Sequence, residues 1–221
     1  MKKVSSSTVG RLSLYLRLLR ELRVEGVETL SSEDLAQRCG TTAAQVRKDL
    51  SFFGTFGKRG RGYSVAELMG ALRGIMGLER RWRVALVGAG KIGAALLAYQ
   101  DFARQGFDIV AVLDADPVKI GLEWNGVVVR ADAELEEALR EGVEIVIVAV
   151  PAAAAQSVVD RVVRCGVRAV LNFAPTKLNV PGDVALKTVN MAGELEALSY
   201  ALVNDARGGR TVSTRPAAAR G

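Results

Sequence analysis

Two groups of residues in this 221-residue chain have the types and spacing to hold anions. The first lies in V-A-L-V-G-A-G-K-I-G, where Gly88, Ala89, Gly90, Lys91, Ile92 and Gly93 follow a strand-like run and open a helix-like one. A turn of this kind aims backbone N–H groups and a helix N-terminus at a pyrophosphate. Gly88 permits the tight turn, Gly90 lets a phosphate approach the backbone, and Gly93 lets helix and strand pack closely. Lys91 adds a cation. Asp114, ending the next strand-like run, is placed to take the ribose hydroxyls of an adenosine and to repel a 2′-phosphate, so NADH and NAD⁺ are expected over NADP(H). The second group is Q-V-R-K-D-L-S-F-F-G-T-F-G-K-R-G-R-G-Y, residues 45–63. Its first half offers Gln45, Arg47, Lys48 and Ser51 from a helix; Arg47 can pair bidentately with a guanine edge or a phosphate, and Lys48 can sit on phosphate as a point charge. Its second half places Lys58, Arg59 and Arg61 on a glycine-rich arm suited to phosphates or a narrow minor groove.

Charge is distributed to match. The chain carries a net +6, but residues 1–83 hold 16 lysines and arginines against eight acids, whereas residues 84–221 hold 14 against 16. A basic lobe favours a polyanion such as double-stranded DNA, although charge alone does not separate that partner from a solvated cationic surface. Histidine is absent, which removes the commonest zinc ligand and the commonest acid/base near neutral pH. Cys39 and Cys165 have no metal-ligand spacing, so reduced thiols and no metal are expected. The longest apolar run, residues 145–155, contains Pro151 and is too short to span a bilayer. These features predict a cytoplasmic protein with no membrane role.

The elements that position the basic group read as a domain over residues 1–80. Leu12, Tyr15, Leu16, Leu19 and Leu22 recur at helical spacing. Ser31 with Asp34, and Thr42 with Gln45, are capping signals for two short helices, the second turning Val46, Leu50 and Phe53 inward. A helix pair joined by a tight turn is a helix-turn-helix, whose second helix enters the major groove. Gly54, Gly57, Gly60 and Gly62, with Thr55, Phe56 and Tyr63, then suggest a β-hairpin wing. Ser64 and Glu67 cap a closing helix that carries Leu68, Leu72 and Ile75.

The glycine group needs a different frame. Strand-like runs at residues 84–87, 109–114, 145–150, 169–173 and 184–189 alternate with helical stretches reaching about residue 102, around residues 134–140, and from residue 152. That rhythm predicts an α/β, doubly wound parallel sheet, a Rossmann domain over residues 81–189. Tyr99 and Pro151 lie near strand ends, where each can border a nicotinamide or simply pack. Asn172 can hydrogen-bond a ligand or cap a turn. Residues 190–207 form a last helix with Leu195, Leu198, Ala201 and Leu202 on one face and Met191, Tyr200 and Val203 on others, suited to a second subunit or to its own sheet. Residues 208–221 have the composition of a disordered tail.

Through QVRKDLSFFGTFGKRGRGY, VGAGKIG, LNFAP and LSYALVN the chain resembles the Rex family of redox-sensing transcriptional repressors over residues 8–205. The resemblance implies a homodimer that binds operator DNA through winged-helix domains and is released by NADH, while NAD⁺ leaves it competent. It implies a C-terminal helix exchanged between subunits, operator contacts by Arg47 and Lys48, and a relay through Arg17 and Tyr99 that responds to the nicotinamide. The family commonly has Arg in place of Lys91 and an Asp-Phe pair in place of Asn190 and Met191. That aspartate joins the relay and that phenylalanine approaches the partner's nicotinamide pocket; Asn190 can hydrogen-bond Arg17 but not form an ion pair with it. The rival readings are an NAD-dependent dehydrogenase with an accessory basic domain, for which no acid/base is evident, and a CoA- or nucleotide-binding scaffold.

Overall fold

The computed structural model describes residues 4–57 and 61–208. The chain divides into two compact units, Met1–Arg81 and Trp82–Gly221. Lys58 and Arg59 lie outside the described residues, as does all of the predicted tail beyond Gly208.

In the first unit, helix α1 (Ser6–Val24) buries Leu12, Tyr15, Leu16, Leu19 and Leu22. Helix α2 (Ser32–Arg38) starts at a reciprocal capping box between Ser31 and Asp34, and α3 (Ala43–Ser51) starts where the Thr42 hydroxyl accepts the Gln45 N–H. Ser64 caps α4 (Val65–Ile75) by accepting from the Glu67 N–H. Val46, Leu50, Leu68 and Leu72 face the core, while Phe53 stays half-buried. The wing differs from the expected hairpin. Thr55 and Phe56 join no strand; β2 (Tyr63–Ser64) pairs antiparallel with β1 (Thr29–Leu30), which precedes α2. The glycines explain the difference. A Cβ on Gly57 would lie 2.5 Å from the Gly62 carbonyl oxygen, and Gly62 (φ +75°) packs its backbone against Leu30, so the arm folds onto its own base and delivers Tyr63 to β1.

The second unit is a seven-stranded sheet built from β3 (Trp82–Val87), β4 (Phe107–Asp114), β5 (Glu123–Trp124), β6 (Val127–Ala131), β7 (Ile145–Val148), β8 (Ala169–Asn172) and β9 (Ala185–Thr188), in the order β5-β6-β4-β3-β7-β8-β9. Apart from antiparallel β5, all neighbours are parallel. The order of the parallel strands is that of a doubly wound dinucleotide fold, with its reversal between β3 and β7. Alternate residues feed two layers. Ala85, Val87, Leu113, Val146 and Val148 pack with α7 (Leu135–Arg140) and α8 (Ala152–Arg164), and Val84, Leu86, Val112 and Ile147 pack towards α5 (Lys91–Ala98).

Two local departures bear on the sites. The helix expected to reach residue 102 breaks at Tyr99, whose backbone is extended, and resumes as α6 (Asp101–Arg104). Between β4 and β6 the alternation gives way to a β-hairpin. Asn125 (φ +48°) and Gly126 (φ +80°) supply the two left-handed residues that a tight hairpin turn needs. The last helix, α9 (Met191–Gly208), carries Leu195, Leu198, Tyr200 and Leu202 in solvent.

Candidate nucleotide and nucleic-acid sites

The glycine turn runs from the end of β3 into α5. Gly88 sits at φ +102°, and a Cβ there would lie 2.5 Å from the Ala149 carbonyl oxygen; a Cβ on Gly93 would collide with the carbonyl oxygen of Gly88. Both glycines are thus required by the chain's own packing. Gly90 is not, because a Cβ at that position meets no protein atom within 4 Å. It is also the N-cap of α5 and gives the first turn no side-chain cap, so that turn's N–H groups suit an external acceptor. A dinucleotide fits this cradle.

Asp114 ends β4 beside the turn. Its Oδ2 accepts the Ala89 N–H at 2.6 Å and the Lys119 ammonium at 3.3 Å, and its Oδ1 accepts the Asp116 N–H at 2.8 Å. Burial works to raise this carboxyl, but the N–H donors of Asp116 and Ala89 and the cation of Lys119 outweigh it and hold Asp114 below the usual carboxylate range. An ionised acid is therefore fixed at the end of β4 beside the glycine turn. The Ala89 N–H, grouped by sequence with the pyrophosphate donors, is instead committed to Asp114. Lys119 was missed in the sequence because it sits in a turn with no periodicity.

A cavity of about 760 Å³ opens at the start of α5 and is lined by Ile92, Phe173, Pro175, Thr188, Asn190 and Met191 among others. It unites Ile92 with the two C-terminal residues singled out in the sequence. Asn190 caps α9, its Oδ1 accepting the Gly193 N–H at 3.0 Å, and Met191 is 54% exposed. Tyr99 lines a different cavity with Phe102, Phe107 and Asn125; its hydroxyl donates to Asp101 at 3.3 Å, and its ring meets Phe102 edge to face. Pro151 precedes α8, exposed, and lines neither cavity. Asn172 is fully buried. Its amide donates to the Ala174 and Thr176 carbonyls and its oxygen accepts the Ala174 N–H, so of its two readings the structure takes the turn cap.

In the first unit the recognition candidates fall into two sets. Lys48 on α3 and Arg61 on the arm are exposed cations. Arg47, by contrast, is engaged by α2, donating to the Ser32 hydroxyl at 2.7 Å and to Glu33 at 3.0 Å. Ser51 donates to the Lys48 carbonyl of its own helix. Gln45 donates at 2.8 Å to Asp49, a residue that the sequence reading passed over. Asp49 is fully buried and also takes both donors of Arg11, at 2.6 and 2.7 Å, and the Tyr15 hydroxyl at 3.0 Å. Burial opposes its charge, yet the bonds from Arg11, Gln45 and Tyr15 prevail and hold its carboxyl below the usual range. Tyr15 moves the opposite way, raised first by burial and then by its bond to Asp49. One buried carboxylate thus fixes α3 against α1 and orients Gln45, the first polar side chain of α3. Arg17 is exposed on α1.

Residues 3–51 match the family model described as "Putative DNA-binding protein N-terminus", and residues 79–176 match the one described as "CoA binding domain". The redox-sensing transcriptional repressor Rex of Carboxydothermus hydrogenoformans is 48% identical over 92% of this chain and 98% of its own length. That of a Roseiflexus species is 44% identical over 95% and 96%. The chain belongs to the Rex family of redox-sensing transcriptional repressors. Among solved structures it is similar to RSP, a Rex-family repressor. The RSP complex with β-NADH matches at TM-score 0.87 and 34% identity, covering 95% of this chain and 99% of that one. The RSP complex with β-NAD⁺ and operator DNA matches at TM-score 0.87 and 36% identity, covering 96% and 100%. These Rex relatives are named as repressors and not as enzymes, which removes the dehydrogenase reading. Among the described residues no group of three His, Cys, Asp or Glu could hold a metal, and no helix is long and apolar enough to cross a membrane.

Proposed function

We propose that this chain is a cytoplasmic, homodimeric repressor that binds operator DNA through its first unit and senses the NADH/NAD⁺ ratio through its second, NADH releasing the operator. The observation that carries this reading is the full-length likeness to RSP, solved with NADH and also with NAD⁺ and operator DNA, on a chain that keeps Gly90 open beside a fixed, ionised Asp114. The domains are residues 1–80 for DNA, 81–189 for dinucleotide, 190–207 for dimerisation and 208–221 as tail. Gly88 to Gly93 cradle the pyrophosphate and Asp114 takes the ribose. The cavity at Ile92, Asn190 and Met191 takes the nicotinamide end, Tyr99 and Pro151 belong to the cofactor-binding residues, and Arg17, Tyr99, Asn190 and Met191 make up the relay that responds to the nicotinamide. Gln45, Arg47, Lys48 and Ser51 meet the major groove, and Lys58, Arg59 and Arg61 meet phosphates or the minor groove.

Two half-sites about one helical turn apart demand a fixed spacing of the two DNA-binding units, and the NADH-bound dimer has a different spacing. Linkage then requires operator to weaken NADH binding by the factor by which NADH weakens operator binding. A nearly complete switch needs about 5.5 kcal/mol of differential affinity. An operator gel shift at fixed salt, titrated with NADH, NAD⁺, NADPH and CoA, tests the reading. NADH alone should release the DNA at low concentration; equal operator affinity with and without NADH would overturn the proposal, and release by CoA alone would favour the scaffold reading that the second family model raises.

A further inference from the structure

Lys119 stands beside the ribose-binding acid, and neither the glycine fingerprint nor the fold requires a cation there. Its ammonium lies 3.3 Å from Asp114 Oδ2 and 3.5 Å from Asp116, so two carboxylates share one positive charge. We propose that Lys119 is a specificity-determining residue that weakens the rejection of a 2′-phosphorylated dinucleotide, a role that rests on the dinucleotide reading given above.

The argument is one of opposed charges at one place. Asp114 discriminates against a 2′-phosphate by repulsion and by offering an acceptor where the phosphate needs a donor. Each of its oxygens is already tied to a backbone N–H, so the carboxylate is fixed and its charge stays put. Lys119 has no such restraint: its stem is flexible, its side chain is 28% exposed, and its partners are two carboxylates rather than backbone. A phosphate placed against Asp114 therefore comes within reach of an ammonium that can turn to meet it. Without Lys119 the phosphate would face two acids instead of a cluster with one net negative charge. Lys91 cannot play this part, since a cation at the pyrophosphate turn meets the same group in NADH and NADPH.

The test is a set of calorimetric titrations with NADH and NADPH at fixed low salt, on wild type, Lys119→Met, Asp114→Asn and the double variant. Asparagine keeps a carbonyl oxygen for the Ala89 N–H of the turn and gives up only the acceptor for the Asp116 N–H. In Lys119→Met, NADPH affinity should fall about tenfold, as for loss of a charge-assisted bond, with NADH affinity changed by under about threefold. In Asp114→Asn, NADPH affinity should rise by about tenfold, and the double variant should lose that gain. Lys119→Arg should restore the wild-type ratio, which a merely structural role would not explain. An unchanged NADPH:NADH ratio in Lys119→Met, or equal NADPH affinity in Asp114→Asn and the double variant, overturns the role of Lys119 while leaving NADH sensing intact. Failure of wild type to bind either dinucleotide while it still binds operator overturns the reading beneath it, and the proposal with it.

Discussion

In the first unit, groups that would meet an anion are already held by acids of the same chain: Arg47 by Glu33, Gln45 by Asp49. In the second unit the glycine turn holds its shape through close backbone packing at Gly88 and Gly93 and through the bond from the Ala89 N–H to Asp114, and it leaves Gly90 open. On the proposed reading DNA would displace or share a partner, whereas a dinucleotide would meet an open turn. Two kinds of acid act in the first unit. The Arg47–Glu33 pair is largely exposed and solvent-screened, and on the proposed reading it is exchanged for a phosphate or a base edge. The Asp49 cluster is buried and serves as framework.

The sharpest way to break this contrast is to fill the glycine turn. Gly88→Ala forces a side chain into a left-handed backbone and against Ala149, and should cost about 3 kcal/mol or more, seen as a lowered melting temperature and lost NADH binding. Gly90→Ala should cost about 1 kcal/mol or less in melting experiments yet still weaken NADH binding; unchanged NADH affinity would remove the reason for that glycine.

Next in size, Asp49→Ala leaves Arg11 and Tyr15 without their acceptor and should cost about 3 kcal/mol by denaturant titration, with operator binding lost. The pH dependence follows from the direction of the shift. A carboxyl lower in the folded chain than in the unfolded one stabilises at pH above its unfolded value of about 4 and loses that contribution as pH falls through the folded value. Asp49→Asn should therefore flatten the acid limb of a stability profile.

Smaller effects belong to the exchangeable cations. Arg47→Ala should weaken operator binding by about 1–3 kcal/mol and relax base preference, with NADH affinity in the absence of DNA unchanged. Lys48→Ala should weaken operator and random DNA alike and lower the salt slope by about one, read from binding at several salt concentrations.

Helical stripes, caps and buried strands were legible because each repeats a local rule: Ser31 with Asp34 and Thr42 with Gln45 cap the helices they predict. The glycine turn was legible from its local spacing after a strand-like run, although the neighbour that demands Gly88, Ala149, is distant in the chain. The Asp49 cluster was not, since its partners Arg11 and Tyr15 come from a distant helix. A sign of it existed, however: Asp49 lies three residues after Val46 and one before Leu50, on the inward face of α3. The hairpin at Asn125-Gly126 was also written plainly, but the βα rhythm on either side left residues 115–133 without an assigned element. The strand partner of Tyr63 was not legible, because pairing with Leu30 is a long-range choice that the glycine-rich arm does not advertise.

The apolar length of α9 has a thermodynamic consequence. Leu195, Leu198, Tyr200 and Leu202 are between 61% and 73% exposed in the single chain. If a second copy covers them, as proposed, protein concentration enters the unfolding equilibrium by mass action. Each tenfold dilution then removes about 1.4 kcal/mol per dimer. Melting temperature would rise with concentration, and the number of repressor molecules in a cell would help to determine how many of them stay folded.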